Sequence, residues 1–437
     1  MELLPLYVMF LILFLFMGFG VPIAFAFGVA NILTLIFFVG IEYSTILYSA
    51  CFASLGNFLY IALPLFILLG ELFHYSGVAE IMINILKKWV RLPGSLGITS
   101  IVGCGIFGAI SGSGMAACAA FGSIMIRPML KAGYPKGLAT GIIVFGGLLD
   151  FFIPPNAITV VYAVLAGVSI SKMLIGTVVP GVVLTILAAI YVSIRMKFVA
   201  LSVEEEIAKV AKVNYRELLI DTAVKFLPLL LVVFAVTVTI YMGIATPSEA
   251  AAAGVVMSVI VIAFYRKLSV KVVHSALLES MVTTGMIFFI MVGSTAFSQL
   301  LFFTGTSQKI ISLIVNADVS TFTAGIILCS VVLILSCFID VISVMFITLP
   351  VFNPVIESLH FDKTWFGLIY LYCIALGAIK PPFGVNLFVT KSVSPPEVTL
   401  QDVYVGILPF LFIALVVLAV FYVFPDLITW LPNKVSQ

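Results

Sequence analysis

Apolar residues run along this chain in blocks of membrane-spanning length, not in the three-to-four-residue rhythm of a helix with one wet face. The blocks place full crossings near 4–20, 21–40, 57–75, 137–167, 173–194, 226–242, 246–264, 279–303, 363–390 and 403–424. Two further apolar stretches, about 94–127 and 310–352, do not read as simple spans. Ser111-Gly112-Ser113-Gly114 interrupts the first, and Asp340 sits in the middle of the second. Inside lipid every backbone N–H and C=O needs an internal partner, so long apolar blocks without short alternating strands predict a helical bundle and not a barrel.

Composition sharpens this picture. Hydrophobic residues make up 63% of the 437 residues and charged ones 9%, against about 25% charged in soluble domains. Such a chain has too little polar surface to cover a water-soluble globule, and it reads as an all-α polytopic membrane protein in a lipid bilayer. A formal net charge of +2 leaves no nucleic-acid footprint. Cys51, Cys104, Cys118, Cys329, Cys337 and Cys373 all lie in apolar stretches, form no CxxC or Cys/His cluster, and read as small core residues. His74, His274 and His360 form no HExxH arrangement, which argues against an intramembrane enzyme and leaves no catalytic residue or cofactor to assign. Met1-Glu2-Leu3-Leu4-Pro5 lacks a basic leader, so the first apolar run is expected to be a retained span.

Positive charge orients the spans. With the N-terminus outside and both odd stretches treated as re-entrant hairpins, only Lys172, Lys309, Lys363 and Lys434 fall outside. Lys380 lies within the membrane, and every other Lys and Arg falls inside. Cytoplasmic loops hold the Lys/Arg excess, so this layout is preferred. The one long polar stretch, about 198–225, contains Glu204-Glu205-Glu206, Lys209 and Lys212. It reads as a cytoplasmic amphipathic linker between halves 1–197 and 226–437.

The halves share an order: three crossings, a hairpin, a crossing with a broken centre, and a last crossing. Arg127-Pro128, Gly133-Tyr134 and Asp150-Phe151-Phe152-Ile153-Pro154-Pro155-Asn156 of the first answer Asn353-Pro354, Phe361-Asp362 and Gly377-Ala378-Ile379-Lys380-Pro381-Pro382-Phe383-Gly384-Val385-Asn386 of the second. Five crossings per half is an odd number, so the halves are expected to sit inverted. Paired broken helices in an inverted repeat mark a transporter and point at a midplane site. A Pro-Pro pair removes two donors and frees carbonyls one turn earlier, which water or a cation must then satisfy. A channel is the competing class, but paired breaks favour alternating access.

These residues resemble the large membrane subunit of tripartite ATP-independent periplasmic (TRAP) transporters over nearly the whole chain. The likeness rests on Asn57…Leu63-Pro64-Leu65-Phe66…Gly70-Glu71, Ser111-Gly112-Ser113 with Ala116-Ala117, Pro128-Met129 with Gly133-Tyr134, Ile153-Pro154-Pro155, Trp365-Phe366-Gly367 and Pro381-Pro382-Phe383-Gly384-Val385-Asn386. The resemblance implies a bacterial inner-membrane carrier, and the charge-based layout puts both termini in the periplasm. It would import an organic anion, a carboxylate or sulfonate, on a Na⁺ gradient by an elevator movement. A periplasmic substrate-binding protein would deliver the substrate, and a separate small four-helix membrane subunit would pack on the scaffold. The runner-up is a stand-alone Na⁺/anion symporter of similar architecture.

Carried over residue by residue, the first Na⁺ site would use Ser111 and Ser113 with carbonyls near Asp150 and Ile153 and at Pro155. The second would use Asp340, Gly377 and carbonyls at Lys380 and Pro382. Hard oxygen donors suit a hard cation. Lys380, Asn156, Asn386 and Gly384 are the candidate substrate contacts. Two residues depart from the family pattern, which usually has Gly at Asp150 and Thr at Lys380. Three roles stay open for Lys380: binding the substrate anion, occupying the second cation position, or pairing with Asp150. Asp150 could equally add a ligand to the first cation.

Overall fold

The apolar blocks become helices, and their surroundings sort them into two kinds. In the computed structural model, residues 3–56, 58–78, 81, 85, 94–198, 215–316 and 319–434 are described, and every regular element among them is helical. The first half runs α1 (Leu4–Gly18), α2 (Ile23–Thr34, with a wide turn to Val39), α3 (Thr45–Leu55), α4 (Ala62–Ser76), α5 (Ser95–Ser111), α6 (Gly114–Lys131), α7 (Lys136–Leu148), α8 (Ala157–Leu165), α9 (Ile170–Gly176) and α10 (Val178–Phe198). The second runs α11 (Tyr215–Lys225), α12 (Leu227–Tyr241), α13 (Pro247–Phe264), α14 (Val270–Phe303), α15 (Thr306–Asn316), α16 (Thr321–Leu335), α17 (Val341–Ser358), α18 (Lys363–Ile379), α19 (Val385–Val393), α20 (Leu400–Val423) and α21 (Asp426–Lys434).

The outer kind turns large apolar side chains outward. Leu11 and Phe19 beside α1, Phe234 on α12, and Val256, Ile260 and Phe264 on α13 are all exposed, as helices facing lipid require. The 34-residue α14 is the rod of this layer and packs on α2, α3, α4 and α17. The inner kind is apolar and buried all round. Every residue of α7 from Leu138 to Leu148 is buried, and so is every residue of α18 from Trp365 to Gly377. A helix with no polar face belongs inside a core. Close approach of backbones joins α7 to α20: a Cβ on Gly406 would stand 1.9 Å from the Gly137 carbonyl oxygen and one on Gly141 2.3 Å from that of Gly406. Small residues at a helix contact permit this spacing.

The two odd stretches are helical hairpins, α5–α6 and α16–α17, and each is followed by a helix broken at Pro-Pro, α7/α8 and α18/α19. The elements interlock across the halves, since α19 packs on α6 and α7. Boundaries differ from the sequence reading in particular places. The second hairpin begins at Ser320, which caps α16, and not near 310; the apolar run at 306–316 is a helix of its own that lies before the arm. The hairpins also extend beyond 127 and 352, to Lys131 and Ser358, because Pro128, Pro350 and Pro354 are carried inside α6 and α17. Helices α3 and α21 fall outside the expected crossings. Of the expected linker, 199–214 lies outside the described residues. Its end, α11, is helical, carries an ion pair of Lys225 with Asp221 at 2.6 Å, and meets α12 at a 52° bend. Lys87, Lys88 and Arg91, used for orientation, also lie outside the described residues, as do Lys209 and Lys212.

Length and apolarity alone qualify five helical stretches among the described residues as membrane spans: 170–197, 247–264, 270–303, 341–358 and 400–423. The broken helices are each divided between two shorter pieces, so neither piece qualifies by itself. The protein is a multi-pass helical membrane protein.

Candidate functional site

Each hairpin turns where a side chain can cap the returning arm. Gly112, at φ +65°, ends α5 in the left-handed region that a side chain disfavours. Ser113 then takes the Ala116 N–H on its hydroxyl at 3.2 Å and starts α6. In the second hairpin Asp340 does the same for α17, accepting from the Ser343 N–H at 2.9 Å through Oδ1. Ser113 and Asp340 thus occupy the same place in the two hairpins. Asp340 is exposed. Ser111 is buried at the end of α5, with its hydroxyl 3.4 Å from the Ser113 carbonyl oxygen.

The first hairpin closes on the first break through Asp150. This carboxylate is 3% exposed and accepts the Gly114 N–H at 2.7 Å through Oδ2. Its other oxygen, Oδ1, is buried and has no hydrogen-bond partner. Glycines make the room: a Cβ on Gly108 would meet Asp150 Cβ at 2.8 Å, and one on Gly114 would stand 2.2 Å from the Gly147 carbonyl. Helix α4 touches the same tip, because a Cβ on its Gly70 would lie 2.5 Å from the Ser111 carbonyl oxygen.

Within the break, Asn156 restarts the helix. Its Oδ1 accepts from the Ile158 and Thr159 N–H groups at 2.7 and 3.1 Å, and its Nδ2 donates to the Asp150 carbonyl. The amide oxygen and one of the two Nδ2 hydrogens are therefore bonded to backbone, the Asp150 carbonyl is taken, and the other Nδ2 hydrogen is left to donate. Among the described residues, nothing donates to the carbonyl oxygens of Ile153 or Pro155.

The second break is closed differently. Gly377 stands four residues before Pro381 as Asp150 stands four before Pro154. A Cβ there would come within 2.4 to 2.6 Å of Ser336 atoms at the hairpin tip. The Lys380 carbonyl accepts from the Gly384 N–H at 3.0 Å, and the Pro382 carbonyl accepts from the Tyr404 hydroxyl at 2.8 Å. Lys380 Nζ donates to the Leu333 carbonyl near the end of α16. Asp150 and Lys380 are not an ion pair, since each charge has its own partner in its own half. Of the candidate substrate residues, Gly384 caps α19 and carries no side chain. Asn386 is buried with its Nδ2 unpartnered and directed at α7, where a Cβ on Gly147 would lie 2.9 Å from it. Asn386 thereby joins the first break, although it comes from the second half. One turn on, the buried Thr390 hydroxyl is also unpartnered.

Sequence reasoning missed Gly114, whose N–H anchors Asp150, and Tyr404 and Leu333, which close the second break. The Gly-Ser-Gly run pointed to Gly114. Nothing local marks a tyrosine 22 residues beyond a proline as its partner.

Hairpin tips set against interrupted helices are the architecture of a membrane transporter, and no group of three or more His, Cys, Asp or Glu side chains that could hold a metal ion occurs among the described residues. Residues 10–427 match the model of the tripartite ATP-independent periplasmic transporter, DctM component, and the chain belongs to that family: it is a transporter permease and not an enzyme. It is similar to the C4-dicarboxylate TRAP transporter large permease protein DctM of Pseudomonas aeruginosa, at 33% identity over 87% of this chain and 88% of that protein. It is also similar to the isethionate TRAP transporter permease protein DctMQ of Oleidesulfovibrio alaskensis, at 29% identity over 95% of this chain and 64% of that protein. Among solved structures, the YdaH transporter of Alcanivorax borkumensis superposes with a TM-score of 0.63 at 12% identity, covering 89% of this chain and 91% of that one, which speaks for the fold alone.

Proposed function

We propose that this chain is the permease subunit of a Na⁺-coupled importer of a small organic anion, a carboxylate or sulfonate, in the bacterial inner membrane. One observation carries the ion-coupled reading. At the first break two carbonyl oxygens, of Ile153 and Pro155, take no protein donor, and a buried carboxylate oxygen of Asp150 nearby is also unpartnered. Leaving such groups unsatisfied in lipid costs several kcal/mol each. Carbonyl, carboxylate and serine hydroxyl oxygens together form the hard donor set a Na⁺ ion takes. The anion class is supported by the names of the relatives, one a carrier of C4-dicarboxylates and one of isethionate.

The hairpins and broken helices form the moving part and α2–α4 with α12–α14 the fixed scaffold, in an elevator built on inverted repeats with both hairpins re-entrant and both termini periplasmic. A periplasmic binding protein delivers the anion, and a separate small four-helix subunit packs on the scaffold. The test is uptake into proteoliposomes holding this chain and its small subunit, with candidate binding proteins loaded with labelled anions outside. Accumulation that requires an inward Na⁺ gradient and the binding protein is the expected result. Accumulation without the binding protein identifies a stand-alone symporter, and flux that neither saturates nor needs the gradient identifies a channel.

A further inference from the structure

We propose that Lys380 is a tethered cation at the second break, taking the place of an ion from solution there, so that coupling runs through the first break alone. The inference rests on the ion-coupled reading above. Lys380 precedes Pro381 as Ile153 precedes Pro154, so the two breaks differ at this position by a cation against an aliphatic side chain. The ammonium donates to the carbonyl of Leu333. That carbonyl is available because α16 ends in a tighter turn, in which the Cys337 N–H goes to Ile334 at 3.1 Å. Its other contacts are the Ser336 hydroxyl at 3.2 Å and the Cys337 thiol at 3.4 Å. The C-terminal end of a helix carries the negative pole of its dipole and is a place for a cation inside a membrane carrier.

Two carbonyls of the second break are engaged by the chain itself. The carbonyls of Lys380 and Pro382, which the repeat would offer to an ion, already accept from Gly384 N–H and Tyr404 hydroxyl. A second monovalent cation there would meet the like charge of Lys380 and, at Lys380 and Pro382, carbonyls that already accept a hydrogen bond. An anion-binding role for Lys380 predicts something else, a change confined to substrate affinity, and a role in pairing with Asp150 is excluded by their separate partners.

The experiment is the Na⁺ dependence of uptake by the complete reconstituted transporter at saturating substrate-loaded binding protein. The wild-type chain should give a Hill slope of about one, and Lys380→Thr should raise it by about one as the second break opens to Na⁺. Lys380→Arg, which keeps the charge, should hold the wild-type slope. A wild-type slope near two, or a Lys380→Thr slope equal to that of wild type with only the substrate half-saturation changed, overturns the proposal. The wild-type arm needs no variant to fold. Uptake by the wild type that ignores Na⁺ altogether is a different result: it removes the ion-coupled reading itself.

Discussion

The two breaks share a backbone plan and differ in how each satisfies the carbonyls its prolines free. Both follow a hairpin whose second arm is capped by a polar side chain, Ser113 or Asp340. In the first, the chain satisfies the Asp150 carbonyl through Asn156 and leaves Ile153 and Pro155 without a protein donor. In the second, the Gly384 N–H and the Tyr404 hydroxyl take the Lys380 and Pro382 carbonyls, while those of Gly377 and Ala378, four residues before the prolines, have no donor among the described residues. The two breaks thus differ at matching positions: the carbonyls of Ile153 and Pro155 are open at the first, and those of Lys380 and Pro382 are engaged at the second.

Gly114→Val breaks the comparison most severely. Its Cβ would already stand 2.2 Å from the Gly147 carbonyl, so the hairpin tip must leave the break. A displacement near 1 Å at a binding centre costs on the order of a hundredfold in rate. Uptake should fall by at least that much while the protein still inserts, measured by proteoliposome flux beside membrane yield. Asn156→Ala comes next. It removes a helix cap and the donor to the Asp150 carbonyl together, and should destabilise by about 2 kcal/mol, read as a lower unfolding midpoint in detergent. Tyr404→Phe is the mildest. It frees the Pro382 carbonyl at an exposed position and should cost about 1 kcal/mol or less. An Asn156→Ala midpoint no lower than that of Tyr404→Phe would reverse the assignment of which break depends more on its cap.

Much of this layout was legible in the sequence because proline acts on the backbone whatever surrounds it. Pro154-Pro155 and Pro381-Pro382 fix both breaks, and Ser111-Gly112-Ser113-Gly114 fixes one hairpin tip. The start of the second hairpin was not legible: Ile310, Ile311, Leu313 and Ile314 continue the apolar run, and only Ser320, through its cap on Thr323 N–H at 3.2 Å, marks where the arm begins. The site was legible as residue types and not as partners. Asn156 is a polar residue after a break in either role, and only its three hydrogen bonds show that its amide oxygen and one amide hydrogen go to the backbone. Asn386 reads from the sequence as a candidate substrate contact after the second break, and the interlocking of α19 with α6 and α7, a long-range contact with no local signal, turns it toward Gly147.

The central claim is that the oxygen cluster beside Asp150 holds the ion that drives uptake. Asp150→Asn keeps the side chain's volume and an acceptor for the Gly114 N–H and removes the negative charge. Titrating Na⁺ in reconstituted uptake should show half-saturation about tenfold higher in the variant, roughly 1.4 kcal/mol, with substrate half-saturation at high Na⁺ unchanged. Superimposable Na⁺ curves for the variant and the wild type would contradict the account.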